Sequence, residues 1–273
     1  MSNFIKRLFF LALITPFTIF SYEFSAMTLN VDNLFDTLDD LKKDDKAYLP
    51  IQFKQSDAHK KSCNRIRVNS WKNECLYLDW NEDTKNAKLI NIAKSILSYG
   101  SKGPDIIALQ EVENNNILNQ LLDLLRPYGY IESALIEGKD YRGIDNALIT
   151  KFKILDSKLH YIKFSGEFEG KDTRPILDAT LEINGEKIKI YNVHFPSGFH
   201  DVSMRIDSLN ALSKLHNEHD YPTIALGDFN VNSKEDNQLD IYQSQEAFWS
   251  VAHIFGCKDC KGSYYYNYGK TWD

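Results

Sequence analysis

Two short apolar runs, Ile107-Ala108-Leu109-Gln110-Glu111 and Ile224-Ala225-Leu226-Gly227-Asp228, each stop on a carboxylate, and each follows an amphipathic helical stretch and a proline. A third run ends in Asn192-Val193-His194, and Asp228 is followed at once by Phe229-Asn230. Strands that end in this way bring two acids, an amide and an imidazole to one region, because ligands of α/β proteins gather at the carboxyl ends of strands. Carboxylates hold a hard cation, while amide and imidazole orient water or donate to an oxyanion. The set therefore suits metal-assisted attack on a phosphate ester. β-branched runs that met acids by chance would not have polar residues closing their neighbours as well.

The elements that must position these groups are read as strands over residues 23–30, 105–111, 130–136, 146–152, 175–183, 187–194 and 223–228. Helical periodicity appears over 85–99, with Leu89, Ala93 and Ile96 on one face, and over 202–216, with Val202, Ile206, Leu209 and Leu212. Asn184-Gly185 between two β-rich runs predicts a hairpin, so the sheet contains antiparallel pairs. The order helix, proline, strand, carboxylate occurs twice, which predicts two similar halves. Packed face to face with helices outside, they would form a four-layer α/β/β/α sandwich with both acids at one end.

At 273 residues, 43% hydrophobic and net charge −6, the chain has the size and composition of one large domain or two small ones, with no sign of disorder. No linker or charge block divides it, so a single domain is expected over 22–273, after a secretory signal over 1–21. Lys6 and Arg7 precede the apolar stretch Leu8 to Phe20, which is too short to span a bilayer and is followed by small residues at Ser21, Ser25 and Ala26. A secreted or periplasmic protein is expected. Cys63 and Cys75, and Cys257 and Cys260, then read as two disulfides, with a four-thiolate zinc site as the rival. The acidic balance leaves the substrate open, since a local basic rim can still steer a phosphate ester.

Five segments together resemble the endonuclease/exonuclease/phosphatase superfamily: Leu29-Asn30-Val31-Asp32-Asn33-Leu34-Phe35, Gln110-Glu111-Val112-Glu113, Tyr141-Arg142-Gly143-Ile144-Asp145-Asn146, Asn192-Val193-His194 and Gly227-Asp228-Phe229-Asn230. Each is a weak motif alone; their shared order and spacing is specific, and the resemblance covers almost all of the chain after the signal. It implies a deoxyribonuclease I-like four-layer sandwich that hydrolyses phosphoesters with a divalent metal, Mg2+ first and Mn2+ or Ca2+ as alternatives. By the same resemblance Glu111 and Asn30 hold the metal, Asp228 and Asn230 orient the attacking water, and His194 donates to the phosphate. Arg142, Arg174 and Asn146 would contact substrate, and Glu113 would be an outer or solvated acid.

Relatives of this kind also carry an Asp-His pair on a final strand. Here the sequence given stops at Asp273, directly after Trp272, before such a pair. The expectation is a C-terminally truncated domain lacking its final strand, with His200 or His253 as substitutes, or a chain that binds without turnover. The 30–35 segment and a short basic loop around Lys60, Lys61, Arg65 and Arg67 resemble secreted bacterial-type endonucleases. A monomer acting on nucleic acid, DNA ahead of RNA, is expected. A sphingomyelinase-like enzyme acting on phospholipid at a membrane is the alternative.

Overall fold

The computed structural model describes residues 23–252, 262–266 and 270–272. In chain order its elements are β1 Ala26–Leu34, α1 Asp57–Cys63, α2 Asn69–Tyr77, α3 Glu82–Leu97, β2 Ile106–Val112, α4 Asn115–Leu125, β3 Glu132–Leu135 and β4 Asp145–Thr150. They continue with β5 Lys153–His160, β6 Ile176–Ile183, β7 Glu186–His194, α5 Val202–His216, β8 Thr223–Asp228, α6 Ser233–Leu239, α7 Ile241–Gln245 and the short antiparallel pair β9 Tyr265–Tyr266 and β10 Thr271–Trp272. One sheet has the order β1-β2-β4-β3 and the other β5-β6-β7-β8. β1 is parallel to β2 and β7 to β8, while the remaining neighbours in the two sheets are antiparallel.

Alternation along the strands builds the layers. In β2, Ile107 and Leu109 join Leu89, Ile96, Leu118 and Leu121 of α3 and α4, whereas Ile106 and Ala108 point the other way into a cluster with Leu177, Leu181 and Ile190. In β7, Tyr191 and Val193 pack with Leu209 and Leu212 of α5, and Ile190 turns inward. The result is the four-layer α/β/β/α sandwich. Asn184 and Gly185 supply the positive φ angles, 52° and 84°, of the expected β6–β7 hairpin.

Polar side chains also join the two sheets. Gln110 Nε2 donates to Asn192 Oδ1 at 2.7 Å, and Asn192 Nδ2 donates to the Leu109 and Ala147 carbonyls, both at 2.8 Å. Asn146 Nδ2 donates to the Pro175 and Asn192 carbonyls. Buried amides bonded across the sheets in this way fix one relative placement of them, directly beneath the strand ends, with Asn146 Oδ1 alone of these atoms left without a partner.

Several elements differ from expectation. β1 runs on to Leu34, with a register shift after Asn30 that gives its end a kinked course. β5 is an irregular edge strand whose register shifts between Ile154 and Asp156, which blurs its alternation. The expected basic loop is instead partly helical: Ser56 caps α1 by accepting from His59 N, and a Cys63–Cys75 disulfide ties α1 to α2 with the Cα atoms 5.6 Å apart. The expected signal, and Cys257, Cys260 and His253, lie outside the described residues. Among the described residues, no helix is long and apolar enough to cross a membrane.

Candidate active site

The parallel pairs deliver their carboxyl ends side by side. Asn30 lies opposite Gln110 in the β1–β2 register, and His194 lies opposite Asp228 in β7–β8. The β7–β8 approach requires Gly227: its φ is 141°, and an added Cβ would fall 2.1 Å from the Val193 carbonyl oxygen. Any side chain there would push Asp228 away from His194.

At the strand ends the backbone leaves the extended region sharply. Asp32, Asn33, Glu111 and Asn230 all have positive φ, between 52° and 67°. For residues other than glycine this costs on the order of 1–2 kcal/mol each, somewhat less for asparagine. Tertiary bonds offset the cost at Glu111, whose Oε2 accepts from Asn33 N at 3.0 Å.

Asn30 is the centre of the network. Its Nδ2 donates to Glu111 Oε1 at 3.3 Å and to Asp228 Oδ2 at 3.1 Å, so one amide joins the acids of the two sheets. His194 Nε2 stands 3.7 Å from Glu111 Oε1 and 3.8 Å from Asp228 Oδ2. Asn230 N donates to Asp228 Oδ1, and Asn230 Nδ2 donates to the Phe195 carbonyl. The structure thus brings together Asn30, Glu111, His194, Asp228 and Asn230.

Two arginines stand beside them. Arg174 donates through NH2 to the Phe195 carbonyl at 3.1 Å, and its NH1 lies 3.7 Å from Asp140 Oδ2. Arg142 is half exposed, with Nε 3.9 Å from Asp140 Oδ1. Burial pulls the Arg174 guanidinium below its usual range, and it feels Asp140, Arg142, Glu111 and Asp228. His194 is held well below the ordinary imidazole value, first by burial and then by Arg174 and Arg142. The imidazole is therefore neutral near pH 7.

Asn146 does not reach this opening. It is buried behind it, committed to the Pro175 and Asn192 carbonyls, so the expected substrate contact becomes an inter-sheet clamp. His200 sits exposed on the loop after β7. Glu113 is not solvated but buried, with Oε2 accepting from Asp36 N at 2.7 Å. Sequence reading missed Asp140, the shared partner of both arginines. It also missed Lys88 of α3, which donates to the Asp32 carbonyl and sits in the field of Glu111. A lysine on a helix reads as solvent-facing, so neither carried a signal.

The donor set at Glu111 and Asp228 fits a divalent cation. Both carboxylates are contacted by amides and a neutral imidazole, and no lysine or arginine forms an ion pair with either among the described residues. Hard oxygens from one or two carboxylates, with room for water, are what magnesium takes. By contrast, the three ligand-type side chains that lie within 4.8 Å of one another elsewhere are His59, Cys63 and Cys75, and both sulfurs there belong to the disulfide. A thiolate zinc site on that pair is thereby excluded.

The model of the Endonuclease/Exonuclease/phosphatase family matches residues 66–270, three quarters of the chain, which takes in every residue of the site except Asn30. Among solved structures, a humanized D. rerio TDP2 with 14 mutations is similar at 19% identity and TM-score 0.43, over 58% of this chain and 65% of that one. A β-hairpin deletion mutant of beta toxin from Staphylococcus aureus is similar at 15% identity and TM-score 0.49, over 81% and 72%. An endonuclease/exonuclease/phosphatase family protein from Leptotrichia buccalis is similar at 20% identity and TM-score 0.45, over 61% and 69%. The chain thus spans just under two thirds of the D. rerio structure. No curated protein sequence matches it.

Proposed function

The chain belongs to the endonuclease/exonuclease/phosphatase family, and from that premise we propose that it is an exported, metal-dependent phosphodiesterase whose substrate is nucleic acid, DNA ahead of RNA. The observation that carries this reading is the convergence of Glu111, Asn30, Asp228 and His194 from both sheets onto one opening flanked by two arginines. Glu111, with Asn30 beside it, would hold a divalent ion, which would supply Lewis acidity and activation of water. Asp228, fixed by Asn30 Nδ2 and Asn230 N, orients the attacking water. His194 donates a neutral N–H toward the phosphoryl oxygens, and Arg142 and Arg174 grip the non-bridging oxygens. Donors fixed beforehand stabilise the charge that develops in the transition state more than that of the ground state.

Phosphate contacts of this kind position a backbone without reading bases, so cleavage without sequence preference is expected. The Cys63–Cys75 disulfide supports export to an oxidising compartment. A second reading keeps the site and takes a phospholipid. Fully exposed Phe199, on the loop after β7, and exposed Tyr141, beside Arg142, favour it. Supercoiled plasmid, single-stranded RNA and sphingomyelin vesicles, each offered with magnesium and with chelator, decide between the readings. Plasmid cleavage with magnesium is the expected result; turnover of vesicles alone would transfer the assignment to lipid.

A further inference from the structure

Lys88 of α3 carries a charge that the fold does not pair. One turn earlier on the same helix, Lys85 is spent on Glu82 at 2.7 Å. Lys88 Nζ instead donates to the backbone carbonyl of Asp32 and lies 5.7 Å from the centre of the Trp80 ring. Among the described residues it forms no ion pair with a carboxylate. The Asp32 carboxylate itself accepts from Asn33 Nδ2 at 3.3 Å and does not bridge to Lys88. An ammonium group has three donors, and one of them is committed here. The half-buried side chain is already held by a carbonyl and a ring face, so it has little rotamer freedom left to lose when an anion takes the others.

The carbonyl that anchors Lys88 belongs to the kinked end of β1. Asp32 and Asn33 both have positive φ, and Asn33 N donates to Glu111 Oε2 at 3.0 Å. Lys88 is thereby fixed one residue from the backbone group that touches the candidate metal ligand. The sheet order β1-β2-β4-β3 gives the direction. Val112, the residue after Glu111, is flanked by Leu34 of β1 on one side and by Asp145 of β4 on the other. Lys88 therefore belongs to the β1 side of Glu111, and Arg142, on the segment leading into β4, to the opposite side. Neighbouring strands lie about 5 Å apart, and one strand of a duplex rises about 3.4 Å per phosphate. A nucleic-acid strand laid across these strand ends, with its scissile phosphate at Glu111 and the arginines, brings the adjacent phosphate to the α3 side.

We propose, on the nucleic-acid reading of the site, that Lys88 is a further substrate-binding residue, which takes the phosphate next to the scissile one on the same strand. The bound strand then crosses the sheet ends from the Arg142 side to the α3 side. Sphingomyelin has a single phosphate, so an enzyme acting on it has no use for a second grip one strand away. As a point charge on the backbone, Lys88 adds affinity without base preference.

A change of charge with the hydrogen bond kept is the direct probe. In the Asp228→Asn background, which leaves the substrate uncut, binding of a short fluorescein-labelled DNA duplex is followed by anisotropy over a potassium chloride series at fixed magnesium. Lys88→Gln keeps an N–H for the Asp32 carbonyl and loses the charge. It should weaken binding by about tenfold at low salt and make the slope of log K against log salt shallower by about one, with the melting temperature held within about 3 °C. Lys88→Met, a second neutral variant, should give the same slope, and Lys88→Arg should restore that of the parent. A parent that binds the duplex with a slope unmoved by Lys88→Gln and Lys88→Met overturns the proposal and leaves the nucleic-acid reading standing, with Lys88 a prop for the Asp32 turn. A parent that does not bind the duplex at any salt concentration overturns both.

Discussion

Asp178 and Asp228 lie two strands apart in the same sheet, yet their surroundings are opposite. Asp178, on the helix-facing side of β6, is met by Lys189 at 2.7 Å, His160 at 2.9 Å and Lys158 at 3.7 Å. Burial works to raise its pKa, and the bonds from His160 and Lys189 outweigh that and hold the carboxyl below its usual range. Asp228, with Glu111 across the sandwich, receives only amide N–H groups and a neutral imidazole. Where the fold supplies cations, the acid is structural. Where the acid forms no ion pair with them, it is left open to something that binds.

That contrast is broken most severely by neutralising the acids at the site. Glu111→Gln and Asp228→Asn should each lower kcat/KM for phosphodiester cleavage by about a thousandfold, with a melting temperature at or above that of the wild type. Activity kept near the wild-type level would show that the unmatched acids have no catalytic use.

Asp178→Asn should do the reverse, lowering stability by about 3 kcal/mol because it leaves Lys189 buried without its anion, while kcat stays level. The pH dependence follows from the sign of the shift. The folded pKa of Asp178 is depressed, so its contribution is complete above the unfolded value of 3.8 and is lost as pH falls through the folded value. Urea unfolding of the two proteins should show a constant gap from pH 6 to 5 and a narrowing one below 3.8. A gap that widened with acid would reverse the assignment.

Smaller effects sharpen the comparison. Arg174→Lys loses the NH2 bond to the Phe195 carbonyl and its reach to Asp140, and should raise KM by about tenfold with less effect on kcat. Lys158→Ala, which removes the half-exposed member of the Asp178 set, should change stability by no more than about 0.5 kcal/mol. A larger loss there would mean that exposed charge, not buried pairing, holds the cluster.

The clustering of the candidate site was legible because strands announce their ends: Glu111, His194 and Asp228 each close an apolar run, and Asn30 stands level with Gln110 in the neighbouring strand. What escaped was set by tertiary contact. Asp140 matters only because the fold brings Arg142 and Arg174 to it, and Asn146 is diverted into the clamp by Pro175 and Asn192. Glu113 lies just past the end of β2, before the polar run Asn114-Asn115-Asn116, and its burial comes from the segment at Asp36 folding over it. α4 begins in Asn114-Asn115-Asn116, which reads as a turn until Asn114 is seen to accept from Ile117 N as a helix cap. α1 and α2 are short and bury little, so they leave no periodic trace, whereas the Cys63–Cys75 disulfide that ties them was expected from the cysteines alone.

The central claim is that acids left without cations at the strand ends form a metal-dependent hydrolytic site. The most direct measurement is nicking of supercoiled plasmid by the wild-type chain across a magnesium titration, beside Asp228→Asn under the same conditions. The account predicts cleavage that rises with magnesium, stops with chelator and is absent in the variant. Equal nicking by both proteins, or cleavage indifferent to magnesium, would contradict it.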